Sequence, residues 1–328
     1  MTQRAITAML HVVLAGLCSL QPFAAMAKTG DINIAVIAHA SRNDPGQLRE
    51  VLGATDYERV AFILVNGIKQ ASESCHDELY LQRKALLDNA RSSVVVSLAA
   101  SDWTTCLNGQ NNPAAVERLN RLREVFFNEE AAPERNRLQK LHQSDSAKFH
   151  NFIENARWQI HGIQFATVNL PADNNHYLSE AGRNSEFEDR LIATNDWLQR
   201  IVSTASRNKS PLIVLFSDGN PMAAAAPEPL FGSPSRRDGF REVRRKITAL
   251  AATYKGKILI VHGQAGDAAA KPATIVWQKN IGSLAAGQGS ASAWMKLTVN
   301  PAAANPFRVT NEAVTAAGDK ERGKSASN

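Results

Sequence analysis

Short runs of β-branched and other apolar residues recur along this chain, and segments long enough to form a helix separate most of them. Apolar runs of this length are typical of strands that are buried on both faces. Parallel strands need a crossover connection, usually a helix, so the order predicts an α/β fold built of helix and sheet layers. The predicted strands are 32–37, 61–65, 93–97, 165–169, 212–216 and 258–261, with closing strands at 273–277 and 294–299.

The segments between the strands carry most of the charge and show helical periodicity. In 113–127, Leu119, Leu122 and Phe126 recur at intervals of three and four residues, which indicates one apolar face. The segment 187–202 repeats the pattern around Trp197 and Ile201. Further helices are predicted around 47–52 and 77–89, and a proline-rich loop at 227–235.

The first residues have the pattern of a secretory signal peptide. Arg4 precedes the apolar run 5–20, and Ala25-Met26-Ala27 has the small-x-small form of a cleavage site. The alternative is an N-terminal membrane anchor, which is disfavoured because the run is short for a span. We therefore expect residues 1–27 to be removed and the product to be periplasmic or secreted. No later apolar run is long enough to cross a bilayer.

Two of the three cysteines remain after the predicted cleavage. In an oxidising compartment Cys75 and Cys106 are expected to form a disulfide, although two reduced thiols remain the alternative. The chain has 37 Lys and Arg against 31 Asp and Glu, a net charge of +6. Nucleic acid is not an expected partner, because no reading motif or aromatic-interleaved basic stretch is present.

Residues that directly follow the predicted strands are the first place to search for a site, because open α/β sheets bind ligands at the carboxyl ends of their strands. The side chains there that are good metal ligands are His39, Asp102, Asp218 and His262. A centre with two metals needs more anionic oxygen than this set offers. Ser101 is also at a strand end, but no base stands near it in sequence to activate a nucleophile.

A locally basic segment follows the proline-rich loop. At helical spacing Arg237, Arg241 and Arg244 share one side and Arg245 falls close by, which would suit an anion or an acidic partner. The alternative is an ordinary solvated helix face.

Several stretches, taken in order, carry a family resemblance. They are 63–69 (ILVNGIK), 75–83, 102–106 (DWTTC), 113–127, 154–158 (ENARW), 165–175 (FATVNLPADNN), Glu186-Phe187 with Trp197-Leu198, and 261–263 (VHG). Together they resemble the secreted bacterial branch of the calcineurin-like metallophosphoesterases, from about Asp31 to Phe307. The resemblance implies a four-layer αββα sandwich at 28–310, and the composition after it predicts a disordered tail at 311–328.

The departures from the family pattern fall at the metal-binding positions. The resemblance implies Gly-Asp where this chain has Ala38-His39 and again where it has Asn66-Gly67. It implies Gly-Asp-Asn at 99–101, which is Ala-Ala-Ser here, and Gly-Asp-x-His at 263–266, which is Gly-Gln-Ala-Gly. Gly67 is the most damaging change, because the family's aspartate there bridges both metals.

The resemblance therefore implies the fold but not most of the family's metal chemistry. The vestigial cleft is expected to comprise His39, Gly67, Ser101, Asp102, Asp218, His262 and Gln264. We expect a degenerate enzyme without a cofactor that binds a small ligand or a protein partner. The alternative is a divergent metal-dependent phosphoric ester hydrolase, with one divalent metal (Zn, Mn or Fe) held by His39, His262 and Asp218, and Asp44 as a further ligand.

Overall fold

The computed structural model describes residues 30–38, 45–128, 138–179, 184–223, 237–264, 273–286 and 294–312. The predicted signal peptide and the proline-rich loop at 227–235 lie outside these ranges. In chain order the strands are β1 (Ile32–Ala38), β2 (Phe62–Asn66), β3 (Val94–Ser97), β4 (Leu141–His142), β5 (Ala156–Ile160), β6 (Ile163–Thr167), β7 (Leu212–Ser217), β8 (Lys257–His262), β9 (Val276–Gln278), β10 (Ile281–Ala285), β11 (Trp294–Val299) and β12 (Phe307–Glu312).

The helices lie between these strands. They are α1 (Pro45–Thr55), α2 (Asp77–Asp88), α3 (Ala100–Trp103), α4 (Ala115–Phe126), α5 (Ser185–Arg207) and α6 (Arg241–Thr253). Each helix that the periodicity predicted is present, α5 being longer at both ends. Within the described ranges, none of the helices combines the length and apolar character needed to cross a bilayer.

The strands form two mixed sheets. One has the order β12-β11-β1-β2-β3 and the other β4-β5-β6-β7-β8-β10-β9. The prediction of parallel pairing is confirmed for β1 to β3 and for β6, β7 and β8. The pairs β1–β11, β11–β12, β4–β5, β5–β6 and β9–β10 are antiparallel. Strands β4, β5, β10 and β12 were not predicted from apolar runs. Strand β12 also includes Asn311 and Glu312, the first residues assigned to the tail; residues 313–328 lie outside the described ranges.

Alternate residues of the strands face two different cores. In β7, Val214 and Phe216 belong to the core between the sheets, where Phe62, Trp158 and Phe165 form a cluster of rings with Phe216. Ile213 and Leu215 face helices α5 and α6 on the other side. The outer face of the first sheet packs against α1 and α2. The chain therefore has helices outside two facing sheets, in four layers.

The predicted cysteine pairing is present. Cys75 and Cys106 are joined by a disulfide, with their Cα atoms 5.8 Å apart. Cys106 follows α3, and the hydroxyl of Tyr80 in α2 contacts both its sulfur and the carbonyl of Asp102. The bond thus links the connections that follow β2 and β3, next to the carboxyl ends of those strands.

Removing this disulfide should destabilise the protein measurably. The cysteines are 31 residues apart, and in the chain-entropy model opening a loop of that size costs about 3 to 4 kcal/mol. We expect the double variant Cys75→Ala/Cys106→Ala to lose about that much unfolding free energy in urea titrations. Wild-type protein under reducing conditions should behave in the same way. Thiol titration of denatured, unreduced mature protein should find no free thiol; two free thiols would contradict the pairing.

Candidate functional site

The carboxyl ends of β2 and β3 in one sheet meet those of β6, β7 and β8 in the other. The amide nitrogen Nδ2 of Asn66, at the end of β2, donates to the carbonyl of Ser217, at the end of β7, over 2.7 Å. The N–H of Ala100, after β3, donates to the carboxylate of Asp218 over 2.7 Å. The strand ends that the sequence placed together therefore lie together, with main-chain and amide contacts joining the two sheets.

Asp218 is fully buried at the centre of this junction. Its Oδ2 accepts hydrogen bonds from the N–H groups of Ala100 and Ala172, both over 2.7 Å. Ala172 follows β6 of the same sheet as β7, whereas Ala100 is the first residue of α3 and follows β3 of the opposite sheet. The carboxylate therefore fastens two loops from different sheets, and this oxygen is already committed to main-chain donors.

The carboxylate of Asp102, in α3, also accepts hydrogen bonds from main-chain N–H groups. Its Oδ1 accepts from the N–H groups of Ile68 and Lys69, and its Oδ2 accepts from that of Ala99. Burial raises the pKa of Asp102 to about 6, and the nearby Asp218 carboxylate acts in the same direction, while the three N–H donors oppose it. This carboxylate shapes the β2 and β3 connections and faces main chain rather than open space.

A glycine stands where the family resemblance implies the bridging aspartate. Gly67 has a φ of 83°, in the left-handed region that side-chain-bearing residues rarely adopt. Next to it, the Oδ1 of Asn66 is buried and receives no hydrogen bond from the described part of the chain. A Cβ on Gly263 would lie 2.3 Å from this oxygen and 3.0 Å from Oδ1 of Asp218. Gly263 therefore leaves room for two side-chain oxygens beside each other.

His262 and Gln264 also have partners within the protein. Nε2 of His262 lies 3.1 Å from the Ser283 hydroxyl. Burial lowers the pKa of His262 to about 4, and the main chain of Gln264 offsets part of that effect. The Gln264 N–H donates to the Asp218 carbonyl, and the Gln264 side-chain oxygen accepts from the Asn220 N–H.

The low pKa of His262 predicts a loss of stability in acid. A histidine that titrates near 6.5 when unfolded and near 4 when folded stabilises the protein above pH 6.5, and this contribution is lost as the pH falls toward 4. Asp102, whose folded pKa is raised, acts in the opposite sense over the same range.

We therefore expect His262→Gln to reduce the acid sensitivity of the protein. The drop in unfolding free energy between pH 7 and pH 4.5 should be smaller than in wild type by about 2 kcal/mol. Denaturant titrations at the two pH values measure it, because Asp102 is common to both proteins. His150→Gln, at an exposed histidine, is the matched control. An unchanged pH dependence in His262→Gln would contradict the prediction.

The remaining predicted site residues are dispersed. The Ser101 hydroxyl donates to the carbonyl of Lys69, so it is not paired with a base. His39 and Asp44 lie outside the described residues. Arg237 precedes the first residue of α6 and lies over the Tyr177 ring, so it does not share a helix face with Arg241.

The basic segment is also partly neutralised. Arg244 pairs with Asp238, and Arg245 pairs with Glu242. Of the four arginines, Arg237 therefore lies outside the helix, and two of the three in α6 have an acidic partner.

No protein-family model matches this chain, and no curated protein is significantly similar to it.

The sequence patterns did not predict a buried polar network beside the strand-end junction. Arg190 in α5 is fully buried, binds Glu186 one turn earlier, and donates to both the side chain and the carbonyl of Asn175. Glu154 accepts hydrogen bonds from Nε and Nη2 of Arg123 and from the Asn169 amide. The sequence signal for this network was weak, because an acidic and a basic residue four positions apart, such as Glu186 and Arg190, are typical of exposed helix faces.

A separate open cleft of about 610 Å³ lies away from the strand ends, between the end of α4 and residues 142–153. Its lining includes Arg123, His142 and Asp145. Among the described residues, none of those predicted for the vestigial cleft lines it.

Proposed function

We propose that this chain is an exported protein with a metallophosphoesterase-type fold whose catalytic centre has degenerated, and that it acts by binding a small ligand or a protein partner. The observation that carries the proposal is the state of Asp218. This carboxylate stands at the strand-end junction, and one of its oxygens is occupied by main-chain donors from both sheets. The residue serves the packing of the junction.

The side chains at the junction do not fit a two-metal centre. Such a centre clamps both ions about 4 Å apart with bridging and terminal anionic oxygens. Here the bridging position is Gly67, the three hydrogen bonds to Asp102 occupy both of its oxygens, and His262 is turned toward Ser283. Two adjacent dications would meet too few negative charges to offset their mutual repulsion.

The layered fold is consistent with the family resemblance. Helices cover the outer faces of two facing sheets, and the stretches that carry the resemblance contribute buried side chains to their cores. Trp103, Trp197 and Asn155 are each buried. Residues that stabilise the scaffold are thus retained, whereas residues expected to bind metal are replaced.

The second candidate is a divergent phosphoesterase with one metal. The buried Asn66 Oδ1, which receives no hydrogen bond from the described part of the chain, lies beside Asp218 and favours this alternative. An amide and a carboxylate oxygen are suitable ligands for a hard cation. The further ligands would be His39, Asp44 and His262.

Metal analysis joined to a phosphatase assay distinguishes the two candidates. Purified mature protein is incubated with Mn²⁺, Zn²⁺ or Fe²⁺, desalted, analysed for bound metal, and assayed with an aryl phosphate. We expect no stoichiometric metal and no hydrolysis above that of Asp218→Asn. One retained equivalent, with activity lost in His39→Ala and Asp218→Asn but kept in the surface variant Asp88→Ala, would support the single-metal enzyme. Two equivalents with such activity would overturn the proposal.

A further inference from the structure

Three consecutive residues after β6 adopt left-handed backbone conformations. Asn174, Asn175 and His176 have φ values of 43°, 54° and 52°. Asparagine tolerates this region, but a histidine there is unusual, and such conformations persist only where the surroundings enforce them. The enforcing contacts are those of Arg190, which grips both polar groups of Asn175, and of the Asn175 amide, which donates to the Gly239 carbonyl.

The strained segment fixes the imidazole of His176 in one orientation. Its Nδ1 lies 3.0 Å from the Glu186 carboxylate, and its ring meets the Trp103 ring edge-on at 4.6 Å. Burial alone would raise the pKa of Glu186, but Arg190 and His176 bring it down to about 2. An ionised carboxylate only accepts hydrogen bonds, so Nδ1 carries the proton. In the neutral ring, Nε2 then presents a lone pair.

Nothing in the described part of the chain uses that lone pair. The His176 side chain is only 7% exposed, yet Nε2 has no hydrogen-bond partner there and is not among the polar atoms sealed from solvent. The nitrogen is therefore not fully sealed from solvent. An imidazole oriented by a carboxylate, with its second nitrogen open, is the arrangement in which histidine accepts a proton or a hydrogen bond.

We propose that Nε2 of His176 is a binding position for a hydroxyl group, so that the Glu186–His176 pair forms a ligand site for alcohols and polyols at the rim of the strand-end junction. The location follows from its neighbours. Ala172, in the same connection, contacts Asp218, and Trp103 directly follows Asp102. The site goes beyond the proposed function and needs neither a metal nor phosphate chemistry.

Chemical modification tests the open nitrogen directly. Diethyl pyrocarbonate reacts with an accessible, unprotonated imidazole nitrogen, which attacks a carbonyl carbon; an ethoxycarbonyl group is transferred, and the departing half yields ethanol and carbon dioxide. Mass spectrometry of the full mature chain locates the modified histidines. We expect His176 to be modified although it is largely buried, and His262, whose Nε2 faces Ser283, to remain unmodified. Glu186→Gln should slow the reaction at His176 several-fold while the exposed His150 reacts as before.

The ligand class is tested by protection. Glycerol should slow modification of His176 several-fold relative to its fully O-methylated analogue, which keeps the oxygens but has no hydroxyl donors. An unmodified His176 would overturn the proposal, and so would equal effects of glycerol and its ether. Thermal unfolding of Glu186→Gln is followed in parallel, and His176→Gln, which removes the reacting nitrogen, must abolish the modified peptide. These outcomes are independent of bound metal and of aryl phosphate hydrolysis.

Discussion

Asp218→Ala is expected to lower the free energy of unfolding by about 3 to 5 kcal/mol. The substitution removes a carboxylate oxygen that accepts two main-chain hydrogen bonds, and hydrogen bonds to charged groups contribute about 1.5 to 3 kcal/mol each. The N–H groups of Ala100 and Ala172 lose that acceptor in a part-buried setting. The substitution also removes the repulsion between the Asp218 and Asp102 carboxylates, which helps to raise the pKa of Asp102. This gain offsets part of the loss.

Urea titration at pH 7 measures this effect. The matched control is Asp88→Ala, which removes an aspartate from an exposed pair with Lys84 and should cost at most about 1 kcal/mol. Similar losses in the two variants would mean that Asp218 does not fasten the sheets together. In that case the carboxylate would be available to a ligand, and the structural argument for a degenerate centre would fail with it.

Arg190→Met should cost a comparable amount, about 3 to 5 kcal/mol, because breaking one partner of a buried ion pair leaves the other charge uncompensated. Methionine retains much of the side-chain volume, so the loss reports the guanidinium rather than a cavity. Without the Arg190 guanidinium, Glu186 keeps its hydrogen bond with His176 but loses its ion pair, and Asn175 loses the Arg190 contacts that hold its left-handed backbone. The pKa of Glu186 should rise from its value of about 2.

The same helix offers a control for this variant. Arg200 forms an exposed pair with Asp196 at the same four-residue spacing, and Arg200→Met should cost less than about 1 kcal/mol. Denaturant titrations of both variants, with acid titrations of wild type and Arg190→Met, complete the test. Equal, small effects in the two variants would show that burial of the network does not increase its contribution.

The sequence alone determined the local structure. Apolar runs located the central strands, since β-branched residues buried on both faces leave few other conformations available. Periodicity located α4 and α5. Strand β5, which lies between β4 and β6, and the edge strand β12 were not predicted, because both are partly exposed. Their sequences, ARWQI and FRVTNE, lack the apolar run that marks a central strand. The strand-end rule also named Asp102 and Asp218 as occupants of the junction before their contacts were known.

Only the tertiary structure decided what those residues do. The hydrogen bond from Ala100 to Asp218 spans 118 residues, and that from Asn66 to Ser217 spans 151. No local pattern distinguishes a carboxylate that awaits a metal from one that binds main-chain donors, because both are aspartates after strands. The same holds for His176, whose orientation depends on a carboxylate in α5, a tryptophan in α3 and a backbone held by Arg190. Charge and periodicity predicted which segments form strands and helices and which side chains follow the strands. The partners of those side chains depend on which sheets and loops the fold brings together.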